Sequence, residues 1–538
     1  MDAEPSAEPS LEELRLLRTL HRTVDDLLEE SLKARETLAQ TFRRLFPPLL
    51  QLLGARAVAV STRNEELSEQ TFHAGDWGGQ HPGALLLAAP GARRHGPDTL
   101  YTQALDVVGT AVGSIGVLFP GDHEAPLAAA RLARAVDTVA EQLDTVLCLV
   151  HTASEKHQLI LECNAHLGNP VFEAGMDQAV LALSQRVNLP GFLLLYRDAV
   201  RPGLLHYRTY RRGHLEHESG ERPSQALERA IAARGPELIG RAASAGSGLR
   251  EVLGPVRTTE AVLISGAANA SYDPLGKIVV WSDEGFSAYT LDLIRVLAST
   301  LSQRLLDYNR ERIHLSQFFS AGVIDQLLAD PDYAQLLRAQ DQEVGILFAD
   351  INGFTRMCEQ GFESPKSIGR FVDEWSARAV DCIWAHGGVF DKMVGDCVIG
   401  LFGPPFFKGS RLERAEGAVR AAQDIARYTE TLSAREEVAR ICRGVGLPGL
   451  GVAIGVNLAH AHCGLYGPNQ QYTAFSSGMN QTARLQSLGG FRETLLMASV
   501  REVLAGSEDP ALRALRFGPL TETPVKNVAQ PLRHYRLL

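Results

Sequence analysis

VGILFADINGFT, residues 344–355, is an apolar run that stops on a carboxylate and then turns. Val344–Ala349 reads as a buried strand, Asp350 ends it, and Ile351, Asn352, Gly353, Phe354 and Thr355 carry the chain out of the sheet. A second carboxylate, Asp396, stands at the tip of FDKMVGDCVIGLFG, where Val389–Val394 and Val398–Phe402 read as a hairpin around Gly395 and Asp396. If these strands are neighbours, the two acids meet at one sheet end. There they repel, which raises one pKa unless a cation lies between them. Hard oxygen ligands suit Mg²⁺ or Mn²⁺, and a metal pair can clamp an attacking and a leaving oxygen in phosphoryl chemistry. Gly353 lets backbone N–H groups approach a phosphate. Taken singly, a turn cap at Asp350 and an ordinary hairpin residue at Asp396 serve as well.

Outward from this stretch, 365–386 reads as an amphipathic helix. Leu412–Leu432 is a helix with Ala415, Val419, Ala422 and Ile425 on one side, and Gly451–Val456 is a further strand. The order βαββαβ over 343–538 predicts a ferredoxin-like sheet with helices on one face. Residues 308–342 form a charged connector in which Pro331 limits a straight helix. Upstream, 1–46 reads as one helix, and 47–155 and 160–307 share one grammar of short strands followed by a long helix. The expected strands are Ala57–Ser61, Ala84–Leu87 and Ser114–Phe119, then Phe192–Tyr196, Leu204–Tyr210, Ala261–Ile264 and Lys277–Trp281. Three helical stripes, around Leu20 and Val24, from Leu132 through Val139 to Ala153, and from Leu291 through Leu301 to Tyr308, predict a parallel dimer with a helical spine.

The 538 residues suit three or four domains, and 45% apolar with 22% charged residues is a globular composition. The net charge of −10 argues against a nucleic-acid-coating surface. Val107–Phe119 is too short, and too broken by glycine, to span a bilayer, so no membrane span is expected. Seven cysteines without a CxxC pair, behind an acidic N-terminus, suit a cytoplasmic protein with reduced thiols. Gly444–Gly449 spells GxGxxG but precedes a strand, which is the wrong order for a dinucleotide site. His460, His462 and Cys463 lack an evident third or fourth partner for a transition metal.

FADINGFT, HGGVFDKMVGDCVIGLFGPP and QYTAFSSGMNQTARLQ resemble, in order and spacing, the signature blocks of class III nucleotidyl cyclases. The resemblance implies two catalytic domains paired head to tail, with sites shared across the interface of a homodimer. It implies two metals per site, Mg²⁺ or Mn²⁺, on Asp350, Asp396 and the Ile351 carbonyl. By the same resemblance Lys392 and Thr473 read the base, Gly353, Phe354 and Thr355 lie at the phosphates, Lys526 holds the triphosphate, and Asn480 and Arg484 steady the transition state. Guanylyl cyclases of the family tend to have Glu and Cys where this chain has Lys392 and Thr473, so the expected substrate is ATP and the product 3′,5′-cyclic AMP. Phe475, Ser476 and Ser477 replace the family's Ile-Gly-Asp, and Asn527 replaces its Gly.

GSIGVLF and GKIVVWS, each followed by an acidic turn and a long helix, resemble the end of a GAF domain. The whole chain is therefore expected to be α+β: two GAF-like domains with an unidentified small-molecule ligand, then a ferredoxin-like cyclase domain, joined by long helices. Rival functions are a guanylyl cyclase of the same fold and a non-catalytic GAF-based ligand sensor.

Overall fold

The computed structural model describes residues 9–87, 89–107, 110–121, 126–201, 203–219, 229, 231, 233, 239, 257–264, 274–526 and 530–538. Two compact units emerge, residues 1–165 with 287–297, and 166–286 with 298–538. In the first, the single helix expected over 1–46 is two, Leu11–Ala34 and Leu38–Leu53. Arg35 turns left-handed at φ 56°, and Thr37 then starts the second helix through a reciprocal capping box with Gln40. Strands β1 (Ala57–Arg63), β2 (Glu69–Gly75), β3 (Gly91–His95), β4 (Asp98–Val107) and β5 (Thr110–Phe119) form a sheet ordered β2-β1-β5-β4-β3. Ala84–Leu87, expected as a strand, lies in and beside the short helix Gly83–Leu86. The Leu132–Ala153 stripe falls within helix Pro126–Leu167. Its Val136, Val139 and Leu143 are buried against Val58, Val60, Ile115 and Val117 of this sheet, so that face is spent on its own core rather than on a spine.

In the second unit, β6 (Gly191–Arg197), β7 (Leu205–Arg211), β8 (His214–Glu218), β9 (Arg257–Ile264) and β10 (Pro274–Ser282) are ordered β8-β7-β6-β10-β9. Both sheets thus share an antiparallel second-first-fifth-fourth core, with an extra strand on opposite edges. The third stripe is also consumed internally, for Leu301, Leu305 and Tyr308 are buried and Tyr308 stacks on Phe172 at 4.7 Å.

Helix Ala288–Leu315 carries Arg312 into a closed ring of charges. Arg312 donates to Asp198 at 3.0 Å and to Asp325 at 2.7 Å, and Arg201 bridges the same two acids at 3.2 and 2.7 Å. Burial alone would raise the Asp198 carboxyl. His206, the backbone N–H groups of Arg201 and Val200, and Arg312 outweigh that and hold it well below the carboxylate range. A depressed pKa adds stability above the unfolded value and loses it as pH falls through the folded one. Arg312→Ala takes one of several partners from the fully buried Asp198 carboxylate, which keeps Arg201, His206 and two backbone N–H groups, and is expected to cost roughly 1.5–3 kcal/mol in denaturant unfolding. A loss below about 1 kcal/mol would show the ring to be dispensable.

Just beyond the ring the chain reaches the C-terminal domain. The Phe318 carbonyl accepts from the Phe390 N–H and the Trp384 indole, each at 3.0 Å, and the Phe319 ring meets Tyr472 at 5.2 Å. This domain is built on an eight-stranded sheet. Its strands are β11 (Gln340–Ile351), β12 (Gly388–Val394), β13 (Cys397–Phe402), β14 (Val452–Tyr466), β15 (Gln471–Phe475), β16 (Thr494–Met497), β17 (Thr521–Thr523) and β18 (Leu532–Leu537). They run β12-β13-β11-β14-β16-β18-β17, with β15 also paired to β14.

Alternation along β11 separates the faces. Leu347, Ala349 and Ile351 join Trp375 of helix Pro365–Ala385 and Val419, Ala422 and Ile425 of helix Arg411–Ser433 in one core. The opposite face is not bare, as a one-sided layer would have it. Helix Ser477–Leu488 lies over it, close enough that a Cβ on Gly455 would meet the Thr482 carbonyl and the Gln486 backbone. β11 and β14 also run past their apolar centres, Gln340 pairing with Cys463 and Ile351 with Val452.

Candidate active site

Strand β11 sets Asp350 at its C-terminal end, and β13 beside it brings up the β12–β13 turn. That turn is a two-residue loop closed by Val394 opposite Cys397, and Gly395 at φ 63° supplies its left-handed position. Asp396 follows, and its Oδ2 accepts from the Ile351 N–H at 3.1 Å. Both acids are half-buried and adjacent. Burial, then repulsion from Asp350, lifts Asp396 to about 6. Burial raises Asp350 as well, against contacts from the Gln486 amide and Asp396 that draw it back. Gln486 has no place in the sequence reading; its position two residues past Arg484, on the inner face of the helix, was the available signal.

Such a pair of crowded acids suits a divalent cation, whose charge removes their repulsion. Among the described residues no cluster of three or more His, Cys, Asp or Glu could hold a metal. Asp350 and Asp396 would hold such a cation, with few other side chains to complete its shell, a donor set that suits an oxygen-seeking, water-retaining ion such as Mg²⁺. His462 is instead paired with Asp341 at 3.0 Å.

Along the same hairpin, Lys392 Nζ donates to Thr473 Oγ1 at 2.9 Å. The β14–β15 pairing places Thr473 opposite Gly464, and the exposed Phe475 ring lies 6.0 Å from the ammonium. Gly353 is left-handed at φ 73° and packed so closely on Leu447 that a Cβ would need that side chain to shift. Phe354 stacks loosely on Phe371 at 6.4 Å, while Thr355 is exposed.

Ser476 caps helix Ser477–Leu488 by accepting from the Met479 N–H at 3.1 Å. Thr482, Leu485 and Gln486 face the sheet, and Asn480 and Arg484, one turn apart, are exposed. Neither side chain has a hydrogen bond or ion pair among the described residues. Lys526 is exposed and likewise unengaged among them, while its neighbour Asn527 lies outside the described residues. The chain thus joins Asp350 to Asp396 and Lys392 to Thr473, and leaves Asn480, Arg484 and Lys526 open to solvent.

Residues 337–530 match the family model of the adenylate and guanylate cyclase catalytic domain. Uncharacterized proteins of Mycobacterium bovis and Mycobacterium tuberculosis are 27% identical over 202 residues, which is 37% of this chain. The chain spans about a third of the length of these curated relatives, 34%. The solved adenylyl cyclase CyaB from P. aeruginosa is 22% identical, with a TM-score of 0.32, covering 38% of this chain and 96% of that one. The guanylyl cyclase Cya2 is 23% identical, with a TM-score of 0.31, covering 37% and 93%. No helix among the described residues is long and apolar enough to cross a membrane.

Proposed function

We propose, on the premise that residues 337–530 are a class III nucleotidyl cyclase catalytic domain, that this chain is an adenylyl cyclase. It converts ATP to 3′,5′-cyclic AMP and pyrophosphate. The observation that carries the choice of base is the Lys392–Thr473 hydrogen bond. A lysine ammonium only donates, whereas a hydroxyl both donates and accepts. Together they match adenine, whose N1 accepts and whose N6 amino group donates, and they mismatch the N1–H of guanine.

In the reaction the ribose 3′ hydroxyl gives its proton to water as its oxygen attacks the α-phosphate, the bond to the bridging oxygen breaks, and pyrophosphate leaves. Asp350, Asp396 and the Ile351 carbonyl would hold Mg²⁺ or Mn²⁺, two per site, which when bound supply Lewis-acid stabilisation of the oxygens gaining charge. Gly353 brings backbone N–H groups to the phosphates, and Lys526 neutralises the triphosphate. The Arg484 guanidinium binds the α-phosphate as charge develops, and Asn480 orients it. Because Asn480 and Arg484 face away from their own sheet, each site takes them from the partner in a homodimer. The two N-terminal sheet domains, GAF-like in strand grammar, act as sensors for a small ligand.

Lys392→Glu combined with Thr473→Cys tests the base assignment. The double variant should lower the ATP-to-GTP ratio of kcat/KM by at least about 10-fold, since it reverses the hydrogen-bonding edges that the site presents. An unchanged ratio in purified, folded enzyme rules these residues out as the base readers.

A further inference from the structure

Strand β12 contains an irregularity that simple alternation does not foresee. Phe390 pairs with Gly400 and Lys392 with Ile399, so Asp391 is the extra residue of a bulge. In a regular strand Asp391 and Lys392 would point to opposite faces. Here the Lys392 ammonium lies 3.8 Å from Asp391 Oδ1. The Asp391 side chain is completely buried, while Lys392 keeps a third of its own exposed. Among the described residues neither carboxylate oxygen has a hydrogen-bond partner. The main-chain carbonyl of Asp391 accepts from Gln471 at 3.4 Å. Burial pushes the carboxyl up to about 6, with the Thr473 hydroxyl and the Lys392 charge drawing it back.

A buried carboxylate without hydrogen bonds is costly, and a residue kept only for packing would be apolar or an amide. Violations of this kind gather where a site needs them. We infer that Asp391 is a positioning residue for base selection, holding the Lys392 ammonium against Thr473 so that its remaining donor meets the acceptor edge of the purine. The inference rests on the reading of Lys392 and Thr473 as the base-reading pair. Of the three ammonium donors, one is committed to Thr473 and one is drawn toward Asp391, which leaves one for the base. Without the Asp391 charge the ammonium swings free, and an untethered donor can also reach the O6 acceptor of guanine.

Asp391→Asn keeps the shape and removes the charge. It should leave the melting temperature unchanged or raise it. The same variant should raise KM for ATP about 10-fold, change kcat less than about 3-fold, and lower the ATP-to-GTP ratio of kcat/KM about 10-fold. A folded variant with unaltered KM and selectivity would overturn the inference. A thermal cycle with Lys392→Gln reads the same pair without nucleotide. Lys392→Gln should lower the melting temperature when Asp391 is present and have little effect beside Asp391→Asn, whereas additive shifts refute the coupling. The cycle keeps its meaning even if the unaltered enzyme cyclises neither nucleotide, a result that would refute the cyclase reading instead.

Discussion

Asp396→Ala is expected to abolish cyclisation of ATP, by about 10³-fold or more, in a domain that stays folded. The residue sits in a two-residue hairpin loop and belongs to no core, so its loss opens no cavity. What it removes from the fold is one hydrogen bond, from the Ile351 N–H, worth about 1 kcal/mol. It also removes the charge that crowds Asp350, so the stability lost is smaller still. Activity depends on what the two acids do together. On the proposed two-cation reading, Asp350 and the Ile351 carbonyl alone would leave the cations short of protein oxygens, and losing electrostatic stabilisation of the developing charge costs rate rather than fold. The measurement is cyclic AMP formed from ATP with Mn²⁺, alongside a thermal melt. Near-normal turnover with unchanged metal dependence would overturn the two-metal assignment.

The meeting of these two acids was legible because each lies at the end of an apolar run, and apolar runs of five or six residues are the clearest strand signal. What lay beyond the apolar runs was harder to see. Gln340–Glu343 is polar and His460–Cys463 alternates histidine with small buried residues, yet the two pair because β11 and β14 continue as one ladder. The helix bearing Asn480 and Arg484 was readable, but not its side of the sheet. That depends on Gly455 and Gly478, which admit it closely and carry no hydrophobic pattern.

The break between the first two helices was written as Thr37 followed by Gln40, a capping box inside a continuous apolar stripe; the stripe masked it. Stripes also cannot say whose core they fill. Val136, Val139 and Leu143 have the spacing of a two-helix seam and are buried on their own sheet. Asp391 was hidden for a different reason. Period-two alternation puts it opposite Lys392, and only the bulge in β12 turns both toward Thr473.

Asp350→Ala and Arg484→Ala should each be nearly inactive as homodimers and should rescue each other when mixed. The expectation follows from where one chain points its groups. Asp350 lies beside Gln486, on the inner side of the helix, while Arg484 on the same helix is exposed and unengaged among the described residues. If Arg484 is the proposed transition-state donor, a group so placed would serve a site completed by a second copy. Its removal alone costs roughly 3–4 kcal/mol, or about 10²–10³ in rate. In a mixed dimer one site collects both lesions and the other collects neither. With equal expression and random pairing about half the dimers are mixed, each with one good site of two, so roughly 25% of wild-type activity returns. Co-expression with two affinity tags isolates the mixed species, whose activity should then approach about half of wild type. Verified mixed dimers that stay as inactive as the two parents would show that Asp350 and Arg484 serve one site from a single chain.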